Sequence, residues 1–407
     1  MNMASSLSLV SSEAPTSWYD LLDPHQAGLH DRLESLRAIQ HGRVLEGLPV
    51  YDLSMVNPDL SPPRQILDRL LESVTKTTNH RYAVSRGVRR LREGFAVKYG
   101  SRFGVSLHPD TDVCVCLGSK DALFHALRVL TRPGDPVIVA TPSYPAHPSA
   151  VSSVGARVVR WSISAEEGAA AASLLDIIKS SHARVLLLNL PSNPSGMAVS
   201  PSWWRTIGAV CARHHVVIIN DFVYGEMCFS GNAAPSGLSA RESGACCVEV
   251  YSLSKAYNVP GWRVGALVGD AEIVGAVARL KSHADYGLFL PLQYAATVAL
   301  TASEDLVRPT VGIYERRLRV LSQGLERVGW DVTSPAAGAC LWAQFPHRLK
   351  EMAGGGSIAV AEFLLKQVGL VATPGVVFGE DCDGYLRFAA VTSEERLREV
   401  SGALSRV

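Results

Sequence analysis

The chain has 407 residues, of which 47% are hydrophobic, and its 39 basic residues nearly balance its 38 acidic residues. This length and apolar content allow a large and a small domain, and the balanced charge argues against nucleic acid or an anionic lipid surface as a partner. Eight cysteines at irregular spacings, without a C-x-x-C pair, favour buried thiols over disulfides or a zinc site. Because no run of about 18 apolar residues occurs, we expect a cytoplasmic protein without a membrane span.

The N-terminal part predicts little chemistry. The first fifteen residues are rich in serine and small side chains, which is typical of a mobile arm. Apolar residues at helical spacing predict a helix from Trp18 to about Gln40 and a short strand at residues 50–53. Asn57-Pro58 then marks a turn, and residues 66–74 predict a second helix.

From residue 112 onward, apolar runs alternate with helical patterns. The predicted strands are residues 113–117, 137–140, 185–190, 216–220 and 248–252, and helices at residues 122–130 and 203–214 lie between some of them. This alternation predicts an α/β fold with a mostly parallel sheet covered by helices on both faces. Ligands bind such sheets at the carboxyl ends of the strands, so the motifs there are the candidates for a site.

The ends of the first two strands carry a potential anion site and an aromatic ring. GSKD at residues 118–121 leads directly into a helical pattern, where free N–H groups and the hydroxyl of Ser119 suit a phosphate. A plain N-cap by Ser119 is the structural alternative. PSYPAH follows the next strand and places Tyr144 where its ring can stack on an aromatic ligand, although a lone tyrosine in such a loop usually packs.

Two further strand ends carry polar side chains. Asn193 in NLPSNPSG is held between prolines and can donate from its amide, with an Asx turn as the alternative. Asp221 in VVIINDFVYGEM ends an apolar strand, where a lone carboxylate is unfavourable without a cationic partner. Tyr224 follows three residues later.

The stretch at residues 251–265, YSLSKAYNVPGWRVG, has the most distinctive chemistry. Lys255 follows a β-rich run, with hydroxyls at Ser252 and Ser254 before it and the guanidinium of Arg263 after it. An amine beside hydroxyls and a guanidinium suits a phosphate-bearing aldehyde. We therefore interpret Lys255 as the lysine that forms a Schiff base with pyridoxal 5'-phosphate (PLP), whose phosphate the hydroxyls and guanidinium hold. A surface lysine between a strand and a turn is the alternative.

The C-terminal part predicts a smaller unit. Residues 318–328 form a helical pattern, GACLWAQF reads as a strand and residues 358–367 as a helix, with AGGG as the flexible join between these last two. Arg387 then lies in the apolar run YLRFAAV. An arginine there needs an anion, which is a bound carboxylate or an internal Asp or Glu.

Together these motifs resemble the site of fold-type I aminotransferases, the class I/II group, over nearly the whole chain. The best match is to alanine aminotransferase-like members, through HRYAVSRG, GSKDAL, PSYP, PSNPSG, SLSKAYNVPGWRVG and DYGLF. The resemblance implies the PLP-transferase fold of type I with a smaller α+β domain. The corresponding domains are an N-terminal arm and segment contributing to the small domain (1–58), a large PLP-binding domain (59–298) and a C-terminal small domain (299–407).

The resemblance also implies roles for the individual residues. Ser119 and Lys120 belong to the phosphate cup, Asn193 and Tyr224 contact the cofactor's phenolic oxygen, and Asp221 keeps the ring nitrogen protonated. Tyr82 resembles the tyrosine that reaches the PLP phosphate of a second subunit, which implies a homodimer. Arg387 resembles the arginine that binds the α-carboxylate of the substrate.

The implied activity is ping-pong transfer of an amino group between an L-amino acid and a 2-oxo acid, with Lys255 moving the proton. Alanine, glutamate and 2-oxoglutarate are the implied substrates. Val56 stands where relatives often have glycine. Leu288 and Leu290 stand where relatives tend to have threonine, in a segment that the resemblance brings to a neighbouring active site. These replacements favour a more apolar or specialised amino acid. The alternative is a PLP enzyme of this fold that eliminates, decarboxylates or oxidises an amino acid. A PLP-sensing regulator is disfavoured, since no segment remains for DNA binding.

Overall fold

The computed structural model describes residues 27–229, 231, 233–303 and 306–407. The predicted arm and the start of the helix predicted from Trp18 lie outside the described residues. The described helices are α1 Ala27–Leu45, α2 Arg64–Val74, α3 Arg89–Phe103, α4 Ser119–Leu130, α5 Ala146–Ser153, α6 Glu167–Ser181, α7 Pro201–Arg213, α8 Ala271–Ala284, α9 Leu290–Thr301, α10 Arg308–Arg327, α11 His347–Ala353, α12 Ser357–Val368 and α13 Glu394–Leu404.

The described strands form one large sheet and two smaller ones. They are β1 Tyr51–Asp52, β2 Val113–Cys116, β3 Pro136–Thr141, β4 Arg157–Ser162, β5 Val185–Leu188, β6 Val217–Asp221, β7 Cys247–Ser252, β8 Gly265–Gly269, β9 Asp331–Val332, β10 Cys340–Gln344, β11 Leu370–Val371, β12 Thr373–Pro374 and β13 Tyr385–Ala389. The large sheet has the order β2-β8-β7-β6-β5-β3-β4. Only β8 runs antiparallel to its neighbours in this described sheet, so the predicted α/β fold is confirmed.

The five predicted strands all belong to this sheet, but β4 and β8 were not predicted. The sequence of β4, RVVRWS, places arginines within an edge strand, and that of β8, GALVG, begins and ends with glycine. Glycine is unfavourable in strands on average. At Gly265, however, a Cβ atom would lie 2.6 Å from the carbonyl oxygen of Tyr251, so the close approach of β7 and β8 requires a residue without a side chain.

Apolar side chains cover both faces of the large sheet. On one face, α4 and α8 pack with Leu123 and Val274 against the sheet; on the other, α3, α7 and α9 contribute Phe95, Trp203 and Ala296. Each large apolar side chain buried in this way stabilises the fold by about 1.5–3 kcal/mol. The two layers of helices hold the sheet rigidly, so the loops at its carboxyl edge have a fixed base.

A second core joins the two ends of the described chain. The strands β12, β13, β10 and β9 form an antiparallel sheet, while β1 pairs in parallel with β11. Leu36 of α1 and Leu53 pack in the same cluster as Phe388 and Val400. In addition, Nη1 of Arg43 donates a hydrogen bond of 2.8 Å to the carbonyl of a residue in α12. The predicted domain limits at residues 58 and 298 stay predictions.

The small unit differs from its prediction at one point. The predicted AGGG join between the GACLWAQF strand and the following helix is wrong, because α11 lies between them and glycines 354–356 connect α11 to α12. The short sequence HRLKEMA lacks a clear apolar stripe, and only Leu349 of this helix is buried. With one buried side chain, α11 leaves almost no periodic signal.

The cysteines are unpaired, and the described helices are not of the membrane-spanning kind. All eight cysteines have free thiols, and burial raises the pKa of Cys211 to about 12. Within the described ranges, no helix has both the length and the apolar character needed to cross a bilayer.

Candidate active site

A cavity of about 330 Å³ lies where the carboxyl ends of β2, β3, β5, β6 and β7 meet. We call it the strand-edge cavity. Every predicted site residue except Tyr82 lines it: Val56, Ser119, Lys120, Tyr144, Asn193, Asp221, Tyr224, Ser252, Ser254, Lys255, Arg263 and Arg387. Sequence reasoning missed five further lining residues: Met55, Asn57, Asn189, Val223 and Pro260. The structure therefore brings together side chains that are up to 332 positions apart, around a space of about the size of one small molecule.

One end of the cavity combines a helix N-terminus, a guanidinium and two hydroxyls. Helix α4 begins at Ser119, and Gly118, with φ of 86°, is its N-cap, so Ser119 is not the cap. A Cβ atom at Gly118 would lie 2.3 Å from Nη2 of Arg263, which shows how closely the guanidinium approaches this turn. Ser252 and Ser254 share a hydrogen bond of 2.9 Å between their hydroxyls. Free helix amides, positive charge and hydroxyls are what a phosphate group requires.

Asp221 offers a buried acceptor to a ligand in the cavity. Its side chain ends β6 and is 6% exposed. Nε2 of His147 lies 3.0 Å from its Oδ2, and Nδ2 of Asn189 donates to its main-chain oxygen at 2.6 Å. Among the described residues Oδ1 has no hydrogen-bond partner although it is buried. A buried carboxylate oxygen without a partner is costly, and an N–H group of a bound cationic ring would satisfy it.

His147 is a site residue that sequence reasoning missed. It is buried in α5, and its ring lies 5.6 Å from the ring of Tyr144 at an angle of 80°. Nζ of Lys120 lies 5.6 Å from the centre of the same tyrosine ring. The signal was present in PSYPAH, since His147 follows Tyr144 by three positions, a spacing that places two residues on one face of a helical turn.

The amine of Lys255 lines the cavity and is mostly buried. Its Nζ donates to the carbonyl oxygen of Val56, which fixes the amine beside the turn that follows β1. Burial is the main cause that lowers the pKa of Lys255 to about 8, and the positive charges of Arg387 and Arg263 lower it further. This direction agrees with the expectation that the lysine is neutral part of the time.

We expect the rate at which the apoenzyme captures PLP to rise with pH and to level off shortly above pH 8. With a pKa of about 8, Lys255 is about 10% neutral at pH 7 and about 90% neutral at pH 9, and only the neutral amine attacks an aldehyde. A lysine with the ordinary pKa would be only about 3% neutral at pH 9. Stopped-flow absorbance measures the rate, and Lys255→Ala identifies the phase that belongs to this residue. A rate still climbing steeply at pH 10 would contradict the lowered pKa.

Arg387 is a buried cation whose partners in the described chain are neutral. It lies in β13, 7% exposed, with its guanidinium 5.1 Å from the centre of the Phe378 ring. Nη1 donates to Oδ1 of Asn193 at 3.2 Å, and Nη2 donates to Oγ1 of Thr373 at 3.0 Å and to the carbonyl of Ser54. The contact turns the Asn193 amide nitrogen away from Arg387. No carboxylate of the described chain pairs with Arg387, so the internal salt bridge is not found and the charge remains for an incoming anion.

A buried acid holds the segment around Lys255 in place. The hydroxyls of Tyr251 and Tyr257 both donate to Oε1 of Glu226, the latter at 3.1 Å, and Nζ of Lys98 donates to Oε2 at 3.0 Å. The Lys98 and Glu226 side chains are each 4% exposed. Glu226 thus joins the turn after Asp221 to both sides of Lys255, and sequence reasoning missed it because its partners are distant in the chain.

Three residues singled out in the sequence do not line the strand-edge cavity. Tyr82 is 83% exposed, and its ring lies 4.5 Å from that of Tyr286. Leu288 is buried in the core of the large sheet, and Leu290 is the first residue of α9. Neither leucine lines the strand-edge cavity of its own chain. The predicted apolar wall belongs to a neighbouring active site, so it stays a prediction.

Comparison with known proteins agrees with this geometry. A model of the family described as aminotransferase class I and II matches residues 49–404. The putative aminotransferase AatC of Rhizobium meliloti (strain 1021) is 34% identical over 363 residues, covering 88% of each chain. The glutamate-pyruvate aminotransferase AlaC of Escherichia coli (strain K12) is 35% identical over 356 residues, covering 87% of this chain and 85% of its own.

Solved structures show the same fold. Substrate-bound BacF from Bacillus subtilis superposes with a TM-score of 0.82 at 28% identity, covering 92% of this chain and 94% of its own. The aspartate aminotransferase from Rhizobium meliloti gives a TM-score of 0.83 at 25% identity, covering 92% and 95%. The family is PLP-dependent, and the unpartnered oxygen of Asp221 beside an anion site fits that cofactor. The chain thus belongs to the aminotransferase class I and II family and is a PLP-dependent enzyme that transfers amino groups.

Proposed function

We propose that the strand-edge cavity is the site of this transfer and that it runs in two half-reactions between an L-amino acid and a 2-oxo acid. The observation that carries the proposal is that one cavity holds three groups together. They are a lysine with a lowered pKa and, within the described residues, a carboxylate oxygen without a hydrogen bond and an arginine without a carboxylate partner. Bound PLP supplies the sink for the electron pair left on the substrate.

Each residue then has a separate task. Ser119, Lys120, Ser252, Ser254 and Arg263 hold the phosphate, while Tyr144 stacks on the ring. The Asp221 carboxylate accepts from the ring nitrogen and keeps it protonated, with His147 holding the carboxylate in position. Asn193 and Tyr224 donate to the phenolic oxygen.

The proton transfer belongs to Lys255. Its amine would hold PLP through the aldehyde, and when free the same amine would take the proton from the substrate Cα. The lowered pKa makes the amine a base near neutral pH. Arg387 binds the α-carboxylate through its planar guanidinium and so fixes which Cα bond points towards Lys255.

Incubation of the PLP-loaded protein with a single amino acid tests the proposal. Transamination converts the cofactor to pyridoxamine phosphate in an amount equal to the enzyme, because the first half-reaction stops there without an oxo acid. Ammonia, carbon dioxide or peroxide with PLP unchanged would instead identify one of the other reactions that the same fold supports. Absorbance spectra and chromatography of the released cofactor distinguish these results.

The substrate pair is a narrower proposal. AlaC is named as a glutamate-pyruvate aminotransferase, so alanine with 2-oxoglutarate is the pair that this relative suggests. Val56 and Met55 give the strand-edge cavity an apolar wall in this chain, which favours a more apolar or specialised amino acid. Exchange between alanine and 2-oxoglutarate far above all other pairs would exclude that preference.

A homodimer in the cytoplasm completes the proposal. Tyr82, Tyr286 and Phe289 are all exposed on the same part of the surface, with Tyr82 against Tyr286, and such an apolar patch suits a second copy of the chain. In that arrangement Tyr82 reaches the PLP phosphate of the partner subunit. Sedimentation of the wild type tests the dimer, and the PLP affinity of Tyr82→Phe tests the phosphate contact, since the variant keeps the dimer and loses only that contact.

Replacing Arg387 by lysine should raise KM for the amino acid about 10- to 100-fold, with a smaller effect on kcat. Lysine keeps the charge but loses the fork that binds a carboxylate with two hydrogen bonds, and a charge-assisted bond contributes about 1.5–3 kcal/mol. Steady-state kinetics give both constants. The matched control is Arg398→Lys on the surface of α13, which should leave KM unchanged. An Arg387 variant with unaltered KM would remove this residue from substrate binding.

A further inference from the structure

A second cavity, of about 790 Å³, adjoins the strand-edge cavity. The two share Met55, Lys120, Tyr144 and Arg387 as lining residues, so they are neighbours across one wall. Arg387 therefore faces both. A substrate whose α-carboxylate binds Arg387 and whose Cα lies near Lys255 has this second space next to it for its side chain.

The second cavity is lined by large apolar side chains from three parts of the fold. Helix α1 contributes Leu33 and Leu36, α4 contributes Phe124, and the small unit contributes Phe378. Met55, on the wall between the cavities, is 71% exposed, and Phe124 is 37% exposed. When an apolar ligand group covers large apolar side chains that are exposed in a concave site, the loss of water-exposed apolar area favours binding.

Two charged groups that line this cavity, Asp52 and Arg37, already have partners within the chain. Asp52 accepts a hydrogen bond of 3.0 Å from Gln40 and further bonds from the amide and hydroxyl of Ser54. Arg37 is paired with Glu34. A ligand group that carried a charge to this end would compete with these bonds, whereas an apolar group would leave them intact.

We propose that the second cavity binds the side chain of the amino donor, and that this donor is an amino acid with a bulky aromatic or branched aliphatic side chain. The inference rests on the proposed function, because it places the α-carboxylate on Arg387. The methyl group of alanine would leave the cavity open, while a phenyl or isobutyl group would cover Met55, Phe124 and Leu36. Specificity then comes from apolar area and not from a second charged contact.

Binding of unreactive carboxylates to the PLP-loaded enzyme tests the proposal without turnover. We expect 3-phenylpropionate to bind at least about 10-fold more tightly than propionate in calorimetry, since only the former extends a ring into the second cavity. Phe124→Ala should reduce this ratio about 5- to 10-fold. Met352→Ala should not, because this methionine is also exposed (53%) but lines neither cavity.

The same variants give a second readout in the kinetics. In Met55→Ala and Phe124→Ala the ratio of kcat/KM for phenylalanine to that for alanine should fall about 10-fold, mainly through KM. Equal affinity for propionate and 3-phenylpropionate, or tighter binding of glutarate than of either, would overturn the proposal, the latter in favour of a side-chain carboxylate. If alanine yields pyridoxamine phosphate and phenylalanine and leucine do not, only this inference fails; if no amino acid does, the proposed function fails.

Discussion

Lys255→Ala is expected to abolish amino transfer, lowering kcat/KM by at least about 10²- to 10⁴-fold. A positioned general base alone contributes a factor of this size. The variant loses this base, an amine whose pKa is lowered to about 8. Lys120, the other lysine in the strand-edge cavity, has its Nζ 5.6 Å from the centre of the Tyr144 ring.

Two measurements separate loss of chemistry from loss of structure. The Lys255→Ala protein should still bind PLP, because the phosphate contacts of the Ser119 turn and Arg263 remain, but borohydride should no longer fix the cofactor to the chain. Lys366→Ala, on the surface of α12 and paired with Glu362, is the matched control and should keep full activity. Transamination at the wild-type rate by a PLP-loaded Lys255→Ala enzyme would refute the assignment.

Asp221→Asn should lower kcat by about 10²- to 10³-fold while leaving the fold intact. The variant keeps the size of the side chain and can keep a hydrogen bond to His147, but it loses the negative charge that holds the ring nitrogen protonated. Removing one positioned electrostatic group from an active site typically has an effect of this size. We expect the effect on kcat because the Asp221 charge matters most when the cofactor ring accepts the electron pair from the substrate.

The absorbance of PLP-loaded Asp221→Asn, followed against pH, provides the independent readout. We expect the spectrum to change relative to the wild type in the absence of any substrate, because the ring nitrogen has lost its anionic partner. Asp176→Asn, on the exposed side of α6, should change neither spectrum nor rate. A wild-type spectrum combined with kcat within twofold of the wild type would place the ring nitrogen elsewhere.

The sequence was informative wherever the signal is local. Apolar strands leave continuous runs, and a polar residue directly after such a run lies at the carboxyl edge of the sheet; this rule alone brought Ser119, Asn193, Asp221 and Lys255 to one place. Each strand end is recognised from its own local sequence, so the prediction holds even where two strands are far apart along the chain. The family resemblance then assigned the individual roles.

Features that depend on distant partners were not predictable. Glu226 is held by Lys98, which precedes it by 128 residues, and nothing near either residue in sequence indicates the pair. The spacing of His147 from Tyr144 was visible in PSYPAH, but nothing in the sequence showed that Asp221 lies beside it. Likewise β8 is a strand because β2 and β7 flank it, despite glycine at both of its ends.

The core shared by α1, β1 and the last third of the chain constrains how the protein is made. The bond between Arg43 and the carbonyl of Lys366 joins residues that are 323 positions apart. At about 5–20 residues per second, a ribosome needs about 15 to 65 s to travel between them. During that time Leu36 and Leu53 lack the side chains that later bury them, so the large sheet has the opportunity to fold first. Until the last third of the chain is made, the apolar side chains of α1 that belong to this core stay without their partners.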